Sequence, residues 1–242
     1  HRKPNLAQVP ADREFRELFT ASPRHTMVGA DLSGIELRML AHYLGRYDGG
    51  RYADILLNDD IHQVNADKIG ITRRQVKTVT YAFLYGAGNE KLGLSYDNSL
   101  QLTKARKKGQ EIREAYVAAI EGLSDLLGAV ADKATKGYLV ACDGRRVLVD
   151  SRHKALNYLL QCSAGIVAKR WMVIANDALN IYAHTHQLAF VHDELQYETT
   201  PKNAEQLMAY LEESAVKAGE YYNLRCPIAA EAKTGKNWAE VH

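Results

Sequence analysis

Arg73, Lys77, Tyr81 and Tyr85 recur every four residues along a stretch, Arg73 to Gly86, with no proline and no internal glycine. Side chains four apart lie along one side of a helix, so the stretch predicts a helix of about four turns. Two cations head that side and two phenols close it. Val76, Val79, Ala82 and Phe83 cover most of the rest, and Gly86-Ala87-Gly88 predicts a C-terminal stop. Fixed positive charge followed by flat rings suits a ligand with phosphate at one end and base and sugar at the other. A surface helix with a solvated Lys/Arg edge and two core tyrosines has the same pattern, and taken alone that reading is slightly the better one.

Two carboxylates change the balance. Thr26 to Asp31 reads as a buried strand ending on an acid. Gln187 to Val191 and Glu194 to Thr199 read as strands flanking His192-Asp193, a hairpin with an aspartate at its tip. Capping and turn chemistry explain either acid alone. If the strands are neighbours, the Asp31 and Asp193 side chains converge. Mg²⁺ is commonly held through one or two carboxylates together with substrate phosphates. Two such ions roughly 3.5–4 Å apart activate an attacking oxygen and stabilise a leaving one. Two acids, a phosphate-binding helix and a nucleobase platform are specific together, though each is weak by itself.

The elements that must position these residues follow from the pattern. A short helix is expected around Arg13 to Leu18, a turn at Ser33-Gly34 and a helix from Ile35 to Tyr43. Residues from about Arg46 to Asp143 read as mainly helical. Asp59 or Asp60 caps a helix whose first turn holds His62, and Leu102 to Ile120 and Leu123 to Thr135 show apolar spacing of three and four. Lys104, Arg106, Lys107, Lys108 and Arg113 form a charge cluster, read first as a solvated face and second as a contact to phosphates. Asp143-Gly144 marks a tight turn. Amphipathic helices are expected over Ser163 to Leu179 and Asn203 to Ala218, with a last strand from Cys226 to Glu231. Strands at both ends and a helical block between them imply an α+β fold, a sheet domain carrying a helical insertion.

Bulk composition is that of an ordinary globular protein: 242 residues, 46% hydrophobic, 25% charged, formal net charge +2. So small a charge neither demands nor excludes nucleic acid; a basic footprint must be local. Cys142, Cys162 and Cys226 have no metal-binding spacing and suggest buried thiols in a reducing compartment. No apolar run reaches the ~18 residues of a membrane span.

Asp31-Leu32-Ser33-Gly34-Ile35-Glu36-Leu37-Arg38, then Arg73-x3-Lys77-x3-Tyr81-x3-Tyr85-Gly86, then Val191-His192-Asp193-Glu194 resemble motifs A, B and C of family A DNA polymerases, in the family's order. The opening His1 to Pro10, the Asp143-Gly144-Arg145 turn, Asn157-x3-Gln161 and the tail from Asn237-Trp238 to His242 resemble that family too, most of all its T-odd phage replicative branch. The similarity runs nearly end to end.

The resemblance implies an antiparallel-sheet palm, 1–43 with 157–242, and mostly helical fingers, 44–156. It implies that a thumb and an exonuclease are absent N-terminally and that the chain ends at the family's C-terminus. It implies that Asp31, the Leu32 carbonyl and Asp193 bind two Mg²⁺ ions, and that His62, Arg73 and Lys77 hold the triphosphate. Lys77 would also protonate the leaving group. Glu36 would close the sugar pocket against a ribose 2′-hydroxyl, Tyr81 would lie under the incoming nucleotide, and Tyr85 would stack at the template position. Asn157 and Gln161 would reach the minor groove, and Arg145 and His192 the backbone near the primer end. For Glu194 two roles stay open, supporting the metals from behind or fixing the hairpin. Implied partners are primer-template DNA, dNTPs, the missing thumb and exonuclease and a processivity factor, with no membrane. The implied location is cytoplasmic, that of a bacterial host for a phage enzyme.

The implied function is template-directed DNA synthesis, with transfer of a nucleotide from a dNTP to a primer 3′-hydroxyl and release of pyrophosphate. One rival is a single-subunit RNA polymerase, which Glu36 disfavours. Another is a polymerase-derived fragment that binds DNA or nucleotide and is inactive without its thumb. The weakest is a helical protein whose acids are only caps and turns.

Overall fold

The computed structural model describes residues 5–242, so the first four residues of the opening His1–Pro10 motif lie outside the described residues. In chain order the elements are α1 (Arg13–Arg16), β1 (Thr26–Leu32), α2 (Ile35–Leu44), α3 (Arg51–Asn58), α4 (Ile61–Ile69), α5 (Arg73–Leu84), α6 (Asn89–Tyr96), α7 (Leu102–Ala119) and α8 (Leu123–Ala134). There follow β2 (Tyr138–Val140), β3 (Arg146–Leu148), α9 (Ala155–Ala175), α10 (Ala178–Ile181), β4 (His186–Val191), β5 (Glu194–Thr199), α11 (Ala204–Tyr221) and β6 (Ala230–Gly235). The chain divides into two compact units. One joins the described residues up to Ile35 with Ala164–His242; the other is Glu36–Ser163. The fold is α+β, with an antiparallel sheet at the chain ends and helices between, as the pattern predicts.

The first unit is built on a four-stranded antiparallel sheet in the order β4-β5-β1-β6. β5 is buried at every position, so both of its faces are covered. α11 packs on β1 and β6, turning Leu207, Leu211, Ala215 and Ala218 inward. Trp171 of α9 is fully buried and donates its indole N–H to the Leu211 carbonyl at 2.9 Å, which fixes α9 against α11. The C-terminal tail packs over Gly29: a Cβ there would stand 2.5 Å from the Val241 carbonyl oxygen. At that position glycine is required by a close approach of backbone to backbone.

The second unit is helical apart from the β2–β3 hairpin, whose turn holds Gly144 at φ +87°. α4, α5, α6 and α7 pack together, with α6 and α7 in the closest contact. A Cβ on Gly109 would overlap the Asn89 carbonyl and one on Gly93 the Ala105 carbonyl, so these glycines let the two backbones meet. Phe83 and Tyr116 pack with ring centres 5.0 Å apart. Burial pushes the Tyr116 phenol up to about 12.

Several boundaries differ from the sequence expectation. α5 stops at Leu84, so Tyr85 caps it and Gly86 turns away at φ +73°. α9 begins at Ala155, because Leu156, Leu159 and Leu160 extend its buried side upstream. It ends at Ala175, leaving Leu179 on α10 and exposed. The last strand starts at Ala230 instead of Cys226, and Pro227, which has no N–H, stands in the unpaired approach. Of the cysteines only Cys226 is buried; Cys142 and Cys162 are partly exposed.

Candidate active site

β1 carries Asp31 one residue before its end. Its register places Asp31 directly opposite Glu194 of β5 on one side and Glu231 of β6 on the other. Residues directly opposite across a sheet share a face, and like charges there are destabilising. Three carboxylates in one row are therefore a cost unless positive charge is supplied. His192 and Asp193 form the two-residue loop between β4 and β5, with His192 at φ +56°, the left-handed geometry such a loop demands. The Asp193 carbonyl accepts a hydrogen bond from the Leu32 N–H at 3.1 Å, so the hairpin tip lies against the end of β1.

Among the described residues, Asp31, Glu194 and His242 each present a ligand atom within 4.8 Å of the others. Glu194 is buried and held from several sides. Trp238 Nε1–H donates to its Oε1 at 2.6 Å, Gln196 Nε2 donates to the same oxygen, and His242 Nδ1 lies 3.1 Å from Oε2. Trp238 is fixed in turn: Phe19 meets its ring edge-on at 5.4 Å and the buried Arg16 guanidinium stacks over it at 4.8 Å. Two carboxylates and one imidazole, crowded beside a third acid, are a donor set that fits a divalent cation.

In the second unit, Thr72 caps α5 in a reciprocal capping box with Gln75, fixing where Arg73 leaves the helix start. Arg73 Nε pairs with Asp60 Oδ2 at 2.5 Å, and Asp60 also caps α4 by accepting from the His62 and Gln63 amides. The Arg73 guanidinium holds the Asp60 carboxyl below its usual range. His62 is buried, and burial holds its imidazole below 6.5, with Arg73 and Lys77 adding to the shift and Asp60 opposing it. The Tyr81 ring lies 6.1 Å from the His62 ring. α4 and α5 thus bring His62, Arg73 and Tyr81 to one place.

Tyr85 donates its hydroxyl to Glu36 Oε1 at 2.7 Å, joining the C-terminal end of α5 to the start of α2. Asn157 Nδ2 donates to the Leu84 carbonyl at 2.7 Å, while Gln161 Nε2, one turn on, is buried without a hydrogen-bond partner. Burial would push the Asp143 carboxyl up, but the Arg145 amide at 3.1 Å and its Nε at 2.6 Å together hold it below its usual range. Of the charge cluster, Lys104, Arg106 and Lys107 are exposed. Arg113 turns inward to the Asn89 side chain and the Ala87 carbonyl.

Residues 1–240 match DNA polymerase family A. The chain belongs to DNA polymerase family A. It is 34% identical over 273 residues to the DNA-directed DNA polymerase of Enterobacteria phage T3, a match covering 100% of this chain and 39% of that protein. It is 30% identical over 264 residues to DNA polymerase I of Mycobacterium tuberculosis (strain ATCC 25618 / H37Rv), covering 98% of this chain and 28% of that one. Among solved structures it is similar to the polymerase domain of Pol1 from M. smegmatis in complex with DNA primer-template and dNTP. That match has a TM-score of 0.80 at 26% identity and covers 98% of this chain and 45% of that one. The chain thus spans about two fifths of the length of the phage relative.

Two of the residues gathered at the end of β1 carry little weight in the sequence: Glu194 admits two roles there, and His242 reads only as part of the tail. The signal for Glu194 was available: in a two-residue hairpin next to β1, the acid after the turn falls opposite Asp31. His242 has no such signal, because a terminal residue outside any periodic element is brought to the sheet by the packing of Trp238 and Val241 on Met27 and Val191.

Proposed function

We propose that this chain is the palm and fingers of a DNA-directed DNA polymerase, joining a dNTP to a primer 3′-hydroxyl with release of pyrophosphate. The first unit serves as palm and the second as fingers. The observation that carries this reading is the Glu194–Asp31–Glu231 row at the end of β1, in a family A chain whose fold matches a polymerase domain. A surplus of aligned carboxylates with a nearby imidazole calls for bound cations. Asp31, Asp193 and the Leu32 carbonyl are the proposed ligands of two Mg²⁺ ions, with Glu194 and His242 beside them. Bound there, divalent ions supply positive charge to the phosphate under attack and lower the pKa of the attacking hydroxyl.

The chain's own residues do the rest. Arg73 grips the triphosphate bidentately and Lys77 acts as a point charge. Lys77 Nζ then donates a proton to the departing pyrophosphate. Asp60 holds the Arg73 guanidinium in position before the nucleotide arrives. His62 is kept neutral by burial, so it meets the phosphates as a hydrogen-bond donor and its Nδ1 has no partner within the protein. Tyr81 supports the sugar and base. Glu36, tethered by the Tyr85 hydroxyl, closes the space a ribose 2′-hydroxyl would need. Asn157 and Gln161 check base-pair shape in the minor groove, and Arg145 and His192 contact the primer backbone. DNA primer-template and dNTP are the partners named for the M. smegmatis structure, and we extend them to this chain.

A second reading is a fragment that binds DNA or nucleotide without extending a primer by itself, favoured by its covering 39% of the phage relative. Primer extension in Mg²⁺ at low salt, with a binding assay on the same primer-template, separates the two. Extension supports the first reading, and binding without extension supports the second.

A further inference from the structure

The other end of β1 carries a second cluster that the polymerase reading does not use. Asp31 lies five residues beyond Thr26, so the two ends are about 17 Å apart along the strand. His25 immediately precedes Thr26. Its ring centre lies 6.0 Å from that of His186 and 6.5 Å from that of His184. His186 opens β4 and stands directly opposite Glu198 of β5. His184 precedes it in the left-handed region, at φ +58°. All four residues belong to the first unit.

The hydrogen bonds fix which imidazole nitrogens are available. His25 Nδ1 lies 3.1 Å from the Pro23 carbonyl, which can only accept, so Nδ1 carries the proton. Its Nε2 lone pair is shielded from water and has no hydrogen-bond partner. His186 Nδ1 lies 3.1 Å from Glu198 Oε1, and the Glu198 carboxylate is itself fixed by the Ser22 amide at 2.7 Å and the Ser22 hydroxyl at 3.0 Å. With both Ser22 donors directed at it, the Glu198 carboxylate is the acceptor for His186 Nδ1. Its Oε1 thereby leaves His186 Nε2 with the lone pair. An imidazole whose other nitrogen donates to a carbonyl or carboxylate is the arrangement that precedes metal ligation.

We propose that His25, His184 and His186 form a site for a transition-metal dication of the Zn²⁺ type, with Glu198 and Pro23 positioning two of the imidazoles. Three nitrogen ligands with one position open to solvent are a known zinc arrangement, whereas Mg²⁺ prefers oxygen donors. Two imidazoles on one tetrahedral ion place their ring centres about 5 Å apart, given Zn–N distances of about 2.0–2.1 Å. The His186 and His184 rings stand 6.0 and 6.5 Å from that of His25, so movements of roughly 1–1.5 Å close the cluster, and both are exposed and able to rotate.

Calorimetric titration of Zn²⁺ into the whole chain, in saturating Mg²⁺, tests this with four variants. Wild type and Asp31→Asn are expected to bind Zn²⁺ at this site with equal affinity. His25→Ala and His186→Ala are expected to weaken it at least tenfold. Glu198→Gln, which leaves every imidazole in place, is expected to weaken it about 10- to 100-fold. Circular dichroism reports whether each variant is folded, and exposed His184→Ala replaces any that is not, with the same tenfold loss expected. Wild-type affinity in folded His25→Ala or His184→Ala would overturn the proposal. So would loss of all Zn²⁺ binding in Asp31→Asn, which would assign the ion to the other end of the strand.

Discussion

Trp238 donates its indole N–H to Glu194 at 2.6 Å, and both residues are buried. The acid beside Asp31 is thus oriented by a residue near the chain terminus. Trp238→Phe keeps the ring and removes the donor. A buried acceptor left short of a partner costs about 1–3 kcal/mol. Urea denaturation of the variant should show a stability loss in that range, and an unchanged midpoint would mean that the indole N–H does not hold the carboxylate.

The tail's seat is tested at Gly29. Its Cβ position is filled by the Val241 carbonyl and the Gln196 amide, and Gln196 itself donates to Glu194. Gly29→Ala forces the tail outward. Overpacking of this kind costs about 1–3 kcal/mol. Limited proteolysis should cleave the last residues of the variant faster than those of wild type.

The sheet, the order of its elements and both acids were legible because β1, β4 and β5 are short apolar runs bounded by turn residues. The side of α5 that carries Arg73, Lys77 and Tyr81 was legible from its four-residue spacing. What could not be read was which atoms meet. Asp60 pairing with Arg73, and Tyr85 with Glu36, join residues from separate helices whose approach is set by packing. The start of β6 was misplaced because Cys226 and Ile228 are buried without being paired in a strand, and burial alone gives an apolar run the look of one.

The Tyr85–Glu36 hydrogen bond predicts a role in sugar selection. Tyr85→Phe frees the Glu36 carboxylate to move while leaving it in place. Ribonucleotide incorporation relative to deoxyribonucleotide should rise several-fold, and Glu36→Ala should raise it further. Competitive incorporation of rNTP and dNTP measures both.

In its proposed place under the incoming nucleotide, the Tyr81 hydroxyl would replace the hydrogen bond lost when a nucleotide lacks its own 3′-hydroxyl. One such bond is worth about 1.4 kcal/mol, a factor of ten in selectivity. Tyr81→Phe should therefore discriminate about tenfold more strongly against dideoxynucleotides. Equal selectivity in the two proteins rejects the role.

His62 predicts a pH dependence. Burial holds its folded pKa below 6.5, with Arg73 and Lys77 adding to the shift and Asp60 opposing it. Above pH 6.5 the imidazole is neutral in both states and contributes no slope. As pH falls below 6.5 the unfolded chain takes up the proton first, so stability declines until the folded pKa is passed. Urea midpoints from pH 7.5 to 5 should fall in wild type and fall less in His62→Gln.

The central claim is that the end of β1 and the neighbouring hairpin tip form a cation-dependent nucleotidyl-transfer centre. Single-turnover primer extension in Mg²⁺, by the protein and its Asp31→Ala and Asp193→Ala variants, tests it most directly, with thermal unfolding as the control for folding. The account predicts that extension is abolished in both variants while their unfolding temperatures stay near that of wild type. Near-normal extension in either folded variant would contradict it.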